Sequence, residues 1–184
     1  GLSALEKKWF LRYWLRTPRN GINDGVLSKV LAKKYDKKLT EVKTHLNTNS
    51  IVNVAEAYEG GNVPVTTIGH GTFIKPMLAK VVPKSKWPKS CIIDFKYDGN
   101  RYQIHKQGDS VIVFNRSGKI VTPQFADIVS EVKEWEQDDF IIDTEIYPVY
   151  EDGSPAPHKL MGKRVHSKDK TKAIAECPVK MAIF

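Results

Sequence analysis

Two different spacings of apolar residues divide this chain. Over residues 1–62 apolar side chains recur every three to four positions, as in amphipathic helices, whereas residues 76–184 contain short runs in which apolar and polar side chains alternate. Alternation with a period of two is typical of strands that bury one face. The pattern therefore predicts an α+β fold. It has a small all-helical domain at 1–62, a linker at 63–75, and a mainly antiparallel β-sheet with packed helices at 76–184.

Four helices are predicted in the helical domain. Ser3 and Glu6 form an S-x-x-E capping box, which predicts a first helix that runs to Arg16. Apolar residues occupy most of the circumference of this helix, and we expect it to be largely buried. The other three helices are predicted to begin at Asp24, Thr40 and Ser50.

Five strand-like runs follow the linker, at 91–97, 101–106, 110–116, 140–147 and 179–184. Turn signals at Asp98-Gly99, Gly108-Asp109 and Ser117-Gly118 predict hairpins. Thr122 as N-cap, with Pro123 in the first turn, predicts a helix whose apolar face packs on the sheet. A second short helix is predicted near 158–165.

The run at 91–97 carries the candidate chemistry. In an extended strand, Asp94 and Lys96 lie on one side, while Phe95 and Tyr97 lie on the other, where they can enter a core. A lysine held in this way can act as a nucleophile, but only as the neutral amine, and an ordinary lysine with a pKa of about 10.4 is almost entirely protonated at pH 7. A plain Lys-Asp ion pair explains the same residues, so the pattern alone leaves both interpretations open.

The charge of the chain is unevenly distributed. The formal net charge is +8; residues 1–75 carry 12 Lys/Arg against 6 Asp/Glu, while 76–184 carry 17 against 15. This favours a polyanionic partner for the helical part, although a solvated lysine-rich surface has the same composition. The two cysteines lack C-x-x-C spacing and no apolar run approaches the roughly 18 residues of a membrane span, so we expect an intracellular protein with reduced thiols and no membrane partner. The five histidines lack metal-ligand spacing, and we expect structural or surface roles for them.

Five ordered segments resemble the nucleotidyltransferase core of ATP-dependent DNA ligases. They are 75–79 (KPMLA), 96–101 (KYDGNR), 114–122 (FNRSGKIVT), 140–146 (FIIDTEI) and 179–184 (VKMAIF). Residues 1–60 are similar to the end of the DNA-binding domain that precedes this core in archaeal, eukaryotic and some viral ligases. The resemblance covers the whole chain and implies the first part of an adenylation domain, truncated before its end.

The resemblance also implies roles for the conspicuous residues. Lys96 would attack the α-phosphate of ATP and carry AMP as a phosphoramidate. Arg101 and Arg116 match the arginines that hold the ribose and phosphate of the nucleotide, which suits a permanently charged guanidinium that can bind two phosphate oxygens at once. Asp94 stands where the family usually has a glutamate that contacts the adenine amino group, and its side chain is one methylene shorter.

Further candidates lie on the last two strand-like runs. Glu145 matches the carboxylate that the family places near the ribose and the metal. Alternation puts Asp143 and Glu145 on one strand face, as an Mg²⁺ or ribose site would need, although a solvated strand edge explains the same pair. Thr144 replaces the family's usual glycine. The resemblance places Phe184 on the adenine ring, whereas an aromatic residue at this position also fits a core.

As a whole, the resemblance implies an ATP- and Mg²⁺-dependent DNA ligase, active in DNA replication, repair or recombination. It would seal nicks in double-stranded DNA through a lysine-AMP intermediate and adenylated 5′-phosphate DNA. The helical part is suited to non-specific contacts with duplex phosphates, and the candidate residues are Arg12, Arg16, Arg19, Asn20 and Gly21. We expect a monomer, cytoplasmic in a prokaryote or nuclear in a eukaryote. A sliding-clamp partner cannot be derived from this sequence.

Two alternatives use the same lysine motif differently. An RNA ligase or an mRNA-capping guanylyltransferase also carries K-x-D-G, but residues 1–60 and the KPMLA segment argue against both. In a non-enzymatic DNA-binding module the motif would be only a hairpin. The later ligase motifs and the OB domain would lie beyond Phe184, so we expect this piece alone to show little or no nick sealing.

Overall fold

The structure, a computed structural model, describes residues 1–15, 21–65 and 68–184. The chain forms two compact units, Gly1–Thr66 and Thr67–Phe184, each with its own hydrophobic core. The predicted linker at 63–75 contains the division between them. Within the described ranges, no helix is long and apolar enough to cross a membrane.

The first unit is helical, as predicted. Both halves of the capping box are present, since the Glu6 backbone N–H donates to Ser3 Oγ at 3.3 Å and the Ser3 N–H donates to a Glu6 carboxylate oxygen at 2.8 Å. The core of the unit consists of Leu31, Val42, Leu46, Val54 and Tyr58. Its helices are α1 (Ala4–Trp14), α2 (Asp24–Lys34), α3 (Leu39–His45) and α4 (Ile51–Glu59).

The predicted burial of α1 is wrong. None of its residues is buried, and Tyr13 and Trp14 are 83% and 74% exposed. Phe10 and Trp14 stack on each other with ring centroids 6.1 Å apart, and the Arg12 guanidinium lies 5.3 Å from the Trp9 ring centroid. Periodicity identifies an apolar face, but burial also needs a second apolar surface opposite it, which periodicity does not reveal.

The second unit is built on a four-stranded antiparallel sheet in the order β2-β1-β3-β4. In the register between β1 and β3, Arg101 lies opposite Glu145 and Gln103 opposite Asp143. This pairing brings two segments more than 40 residues apart onto one sheet face. The strands are β1 (Asn100–Gln107), β2 (Ser110–Asn115), β3 (Asp139–Pro148) and β4 (Val179–Ile183).

Three helices accompany the sheet: α5 (Ala126–Lys133), α6 (Met161–His166) and α7 (Lys170–Glu176). As predicted, α5 buries its apolar face, including Ile128 and Val132, in the same core as Ile104 and Ile146 of the sheet. Lys106 is buried at the end of α5, where its ammonium group donates to the carbonyls of Lys133 at 3.2 Å and Trp135 at 2.6 Å.

The start of this helical region differs from the prediction. Thr122 does not cap a helix; its hydroxyl accepts a hydrogen bond from the Val113 N–H at 3.0 Å. A 3₁₀ turn, Thr122–Phe125, with the predicted proline in its first turn, precedes α5. The threonine hydroxyl can accept a hydrogen bond either from the start of a helix or from another backbone N–H. Here it accepts from an N–H of β2, so Thr122 joins the turn to the strand and does not cap the helix.

The predicted strand at 91–97 does not form. These residues have no regular secondary structure, and Ile92 and Phe95 are 98% and 85% exposed. The predicted Asp98-Gly99 hairpin is absent, since β1 begins at Asn100 and pairs with β2 and β3 instead. The predicted hairpin would pair this run with β1, but both sides of β1 are already taken by β2 and β3.

Residues 69–74 lie across the sheet face opposite α5. The Gly71 N–H donates to His105 Nδ1 at 3.2 Å, and the Ile74 N–H donates to Gln103 Oε1 at 2.9 Å. The second ring nitrogen of His105 also contacts Gln103 Oε1, at 2.9 Å, so the ring is neutral with its proton on Nε2. This network fixes the position from which the chain continues to Met77 and the cavity described below.

Candidate active site

A cavity of about 860 Å³ lies at the end of the sheet where the KYDG loop meets β3. Four residues singled out by the sequence line it: Lys96, Arg101, Arg116 and Glu145. They come from the loop before β1, from β1, from the turn after β2 and from β3. Three cations and one carboxylate around one cavity suit the binding of a phosphate group.

The Lys96 loop is held on β3 without being a strand. The Tyr97 ring stacks on Tyr147 of β3, with centroids 5.0 Å apart and an interplanar angle of 24°. Gly99 packs so closely that a Cβ atom there would lie 2.3 Å from the Ile146 carbonyl oxygen. Its backbone N–H also hydrogen-bonds to the Glu145 carboxylate. The glycine of the motif is therefore required by close approach of two backbones.

Arg101 is fixed by contacts on two sides. Its Nε donates to Asp143 Oδ1 at 2.8 Å and its Nη2 forms a second bond to the same carboxylate, while Nη1 donates to the Met77 carbonyl at 2.8 Å. The hydrogen bonds to Asp143 raise the pKa of Arg101. The Asp143 carboxylate is thus engaged by the guanidinium, and the expectation that Asp143 and Glu145 together offer an Mg²⁺ or ribose site stays a prediction.

Glu145 is the carboxylate that remains on the cavity wall. It is half-buried, and this burial raises its pKa, against the opposing effects of the Gly99 N–H, Lys96, Arg101 and His158. Its neighbour Thr144 is fully buried on the other face of β3, and the hydroxyl donates to the Tyr102 carbonyl at 3.2 Å. The hydrogen bond explains how this position accepts a threonine in place of glycine.

Two other predicted nucleotide contacts do not line the cavity. Asp94 is exposed and accepts a hydrogen bond from the N–H of Phe95 at 2.7 Å. Phe184 is 66% exposed; its N–H donates to the Asp143 carbonyl at 3.2 Å, and its ring centroid lies 5.5 Å from the Arg101 guanidinium carbon. Phe184 is thus beside a cavity residue, whereas Asp94 bonds only within its own exposed segment.

Of the predicted DNA contacts, two can be placed. Arg12 lies on α1, half-exposed, and Gly21 is exposed with φ of +76° just before α2. Arg16, Arg19 and Asn20 lie outside the described residues.

The opposite wall of the cavity was not predicted. It comes from 158–166 and includes His158, Met161 and His166, with Phe125 from the 3₁₀ turn. His158 Nε2 lies 3.1 Å from Asn100 Oδ1, which joins this wall to the start of β1. The short helix was expected from the sequence, but nothing local in it indicates that it faces a lysine some 60 positions earlier.

Arg164 holds this second wall in place from behind. It is fully buried, donates to the carbonyls of Gln124 at 3.1 Å and Cys177 at 2.7 Å, and forms an ion pair with Asp127. Gln124 also lines the cavity, and its Oε1 is buried without a hydrogen-bond partner in the described part of the chain.

Glu145 is the acidic residue on the cavity wall that could contribute to binding Mg²⁺. The described residues contain no cluster of three or more His, Cys, Asp or Glu side chains that could hold a metal. Mg²⁺ in nucleotide sites is commonly bound by one or two carboxylates together with substrate phosphates and water. Glu145 on a wall shared with Lys96 and Arg101 suits that mode.

The chain is similar to known DNA ligases. A sequence model of the ATP dependent DNA ligase domain matches residues 76–184. The chain is 30% identical to a DNA ligase of Acidianus ambivalens, over 99% of this chain and 33% of the relative, and 30% identical to one of Methanococcoides burtonii, over 99% and 34%. It thus spans about a third of the length of these relatives. A crystal structure of the ligase domain from M. tuberculosis LigD matches 50% of the chain at 20% identity with a TM-score of 0.37, too low to support any inference.

Proposed function

The chain belongs to the ATP-dependent DNA ligase domain family, and from this premise we propose that it is part of an enzyme that seals nicks in double-stranded DNA with ATP. The observation that carries the proposal is the convergence of Lys96, Arg101, Arg116 and Glu145 on one cavity. The family assignment confirms the resemblance found in the sequence. The individual roles below remain proposals.

Lys96 is the proposed nucleophile. Its neutral amine attacks the α-phosphorus of ATP, the bond to the bridging oxygen breaks, and pyrophosphate leaves while the amine loses a proton to solvent. AMP then moves from Lys96 to the 5′-phosphate at a nick, and the 3′-hydroxyl displaces it as the strand is sealed. Lys96 is exposed at the cavity edge and held through Tyr97 and Gly99, so it is accessible to a substrate and still positioned.

The cationic side chains provide the charge that phosphoryl transfer requires. Arg101, held by Asp143 and Met77, is oriented before any ligand binds, which lowers the cost of binding phosphate. Arg116 lies exposed on the cavity wall and is the second arginine available to bind phosphate. Phosphoryl transfer depends mainly on positioning and charge stabilisation, and both are available here.

Glu145 and Phe184 complete the proposed nucleotide site. Glu145 would hold the ribose or, together with phosphate oxygens, Mg²⁺, which when bound supplies charge neutralisation at the phosphates. Phe184, close to Arg101, would stack on the adenine. Asp94 would reach the adenine amino group only after the exposed residues 91–95 move.

In the helical unit, Arg12 and Gly21, with Arg16, Arg19 and Asn20, would contact duplex phosphates. Such contacts bind without reading the sequence, as a nick-sealing enzyme requires.

The proposal is tested by covalent labelling. The longest natural form of the protein is incubated with Mg²⁺ and α-labelled ATP, GTP or NAD, and the label retained on the denatured protein is counted. We expect labelling from ATP alone, its loss in Lys96→Ala, and its retention in the control Lys119→Ala, which changes an exposed lysine outside the cavity.

Other outcomes would redirect the proposal. Labelling from GTP would indicate a capping guanylyltransferase. The absence of any label that depends on Lys96 would refute the enzymatic proposal and favour a DNA-binding module.

A further inference from the structure

The second unit contains a long segment without acidic residues. Between Glu59 and Asp94 the sequence has five lysines and no aspartate or glutamate, whereas residues 94–184 carry 13 Lys/Arg against 15 Asp/Glu. The net positive charge of the second unit therefore comes from this stretch. Four of the lysines lie within residues 80–89, KVVPKSKWPK, which we call the basic segment; they are Lys80, Lys84, Lys86 and Lys89.

The basic segment is exposed and locally ordered. Every one of its residues is exposed, and Lys84–Lys86 form a 3₁₀ turn in which the Lys86 N–H donates to the Pro83 carbonyl at 2.8 Å. The Trp87 indole N–H donates back to the Val82 carbonyl at 3.3 Å, yet its side chain is 61% exposed. Two prolines, Pro83 and Pro88, further restrict the backbone.

Among the described residues, no carboxylate neutralises the charge of this segment. The ion pairs found in the described part of the chain involve other residues, and none joins a lysine of the basic segment to a carboxylate. Four lysine side chains within ten exposed residues concentrate positive charge in this part of the chain. Binding to phosphates would release condensed counterions from a nucleic acid and gain affinity.

The chain on either side of the segment reaches the cavity. Leu78 and Lys96 each line the cavity wall. Since a chain spans at most about 3.6 Å per residue, Lys80 lies within roughly 7 Å of Leu78 and Lys89 within roughly 25 Å of Lys96, measured between backbones. The basic segment is therefore a loop beside the proposed adenylylation site.

We propose that the basic segment binds the sugar-phosphate backbone of duplex DNA next to the cavity, through its four lysines. This extends the proposed function by adding a DNA contact on the unit that carries Lys96. Lysine binds phosphate as a point charge without requiring fixed two-point geometry, which suits backbone contacts that must accept any sequence. The exposed Trp87 ring adds an apolar surface that can pack on a sugar or an unstacked base at a strand end.

The experiment measures affinity for a nicked duplex as a function of salt. The longest natural form of the protein is compared with a variant in which Lys80, Lys84, Lys86 and Lys89 are all changed to Gln. The matched control changes four exposed lysines elsewhere on the same unit to Gln, namely Lys119, Lys133, Lys168 and Lys172. Because all eight side chains are exposed, thermal unfolding should be nearly unchanged, and it is recorded for each variant.

We expect the slope of log affinity against log salt to fall by up to about 3.6 in magnitude in the basic-segment variant, at about 0.9 for each phosphate that the variant no longer neutralises. The control variant should keep most of the wild-type slope. Trp87→Ala should weaken binding without changing the slope, because an aromatic contact releases no counterion.

Three results would overturn the inference: a wild-type slope in the basic-segment variant, an equal loss in the control variant, or lysine-dependent binding to vesicles with 30% phosphatidylserine while DNA binding is unchanged. AMP labelling of Lys96 separates this inference from the proposed function. Normal labelling with an unchanged DNA slope refutes only the DNA contact. A changed slope without any labelling refutes the proposed enzyme and leaves the DNA contact standing.

Discussion

Gly99→Ala should displace the Lys96 loop from β3. The added Cβ would lie 2.3 Å from the Ile146 carbonyl oxygen, 2.7 Å from its carbon and 2.9 Å from Tyr147 Cβ, whereas ordinary contact begins near 3.4 Å. Two of these atoms belong to the backbone of a central strand, so no side-chain rotation relieves the overlap. The loop must therefore retreat by roughly 1 Å, and overpacking of this kind costs about 1–3 kcal/mol of stability.

The effect on chemistry should exceed the effect on stability. Lys96 is three residues from the displaced glycine, and a misplacement of about 1 Å in an active site can reduce the rate by about 100-fold. The assay is the initial rate of covalent AMP labelling at saturating ATP, with thermal unfolding measured in parallel. We expect a loss near 100-fold in a protein that is still folded at the assay temperature.

The matched control is Gly69→Ala. A Cβ at Gly69 meets no atom within 4 Å, and its backbone does not have a positive φ, so both labelling and stability should stay at wild-type levels. Wild-type labelling by Gly99→Ala would show that the backbone approach does not position Lys96, and the explanation of the KYDG glycine would fail.

Three other changes test the surroundings of the cavity. Asp143→Asn should free the Arg101 guanidinium and weaken ATP binding in a labelling titration, with about 1–3 kcal/mol lost in urea unfolding; unchanged affinity would contradict the orienting role. Burial lowers the pKa of His105 in the folded protein, whereas the unfolded chain keeps the ordinary value of 6.5. As pH drops below 6.5, protons therefore bind the unfolded chain more readily than the folded protein, and stability should fall. His105→Gln should flatten that part of a urea-unfolding profile, and an identical pH profile would count against the neutral ring. Arg164→Met should cost about 1–3 kcal/mol, because the buried carbonyls of Gln124 and Cys177 lose their donor and the partly exposed Asp127 loses its partner. The double change with Asp127→Leu should recover part of this loss in thermal unfolding, and no recovery would contradict the pairing.

Local signals in the sequence predicted most of the secondary structure. The capping box at Ser3, the N-cap at Ser50 and the alternation along β3 each depend on residues within a few positions of one another, and all three are present. The same holds for the packing of α5 on the sheet, since its apolar spacing specifies which side is buried.

Features that depend on distant partners were not predictable from the same signals. The run at 91–97 alternates like a strand, but whether a neighbouring strand is present to pair with it is not written in its own residues. Likewise, the apolar spacing of α1 does not reveal whether a second apolar surface is present to bury it. In the site, motif spacing identified Lys96 and Arg101, but the use of Asp143 to hold Arg101 and the second wall at 158–166 arise only when the sheet aligns its strands.

The basic segment lies between two residues of the cavity wall, Leu78 and Lys96, and lines no part of that wall itself, so it can change without changing the cavity. Doubling the length of a loop with fixed ends costs only about 0.6 kcal/mol of chain entropy, so insertions on either side of the Lys84–Lys86 turn should leave the cavity intact. Substitutions in this segment could therefore change the affinity of the protein for a polyanion while Lys96 keeps its position. The loop is a natural point at which to graft a foreign binding sequence onto this scaffold.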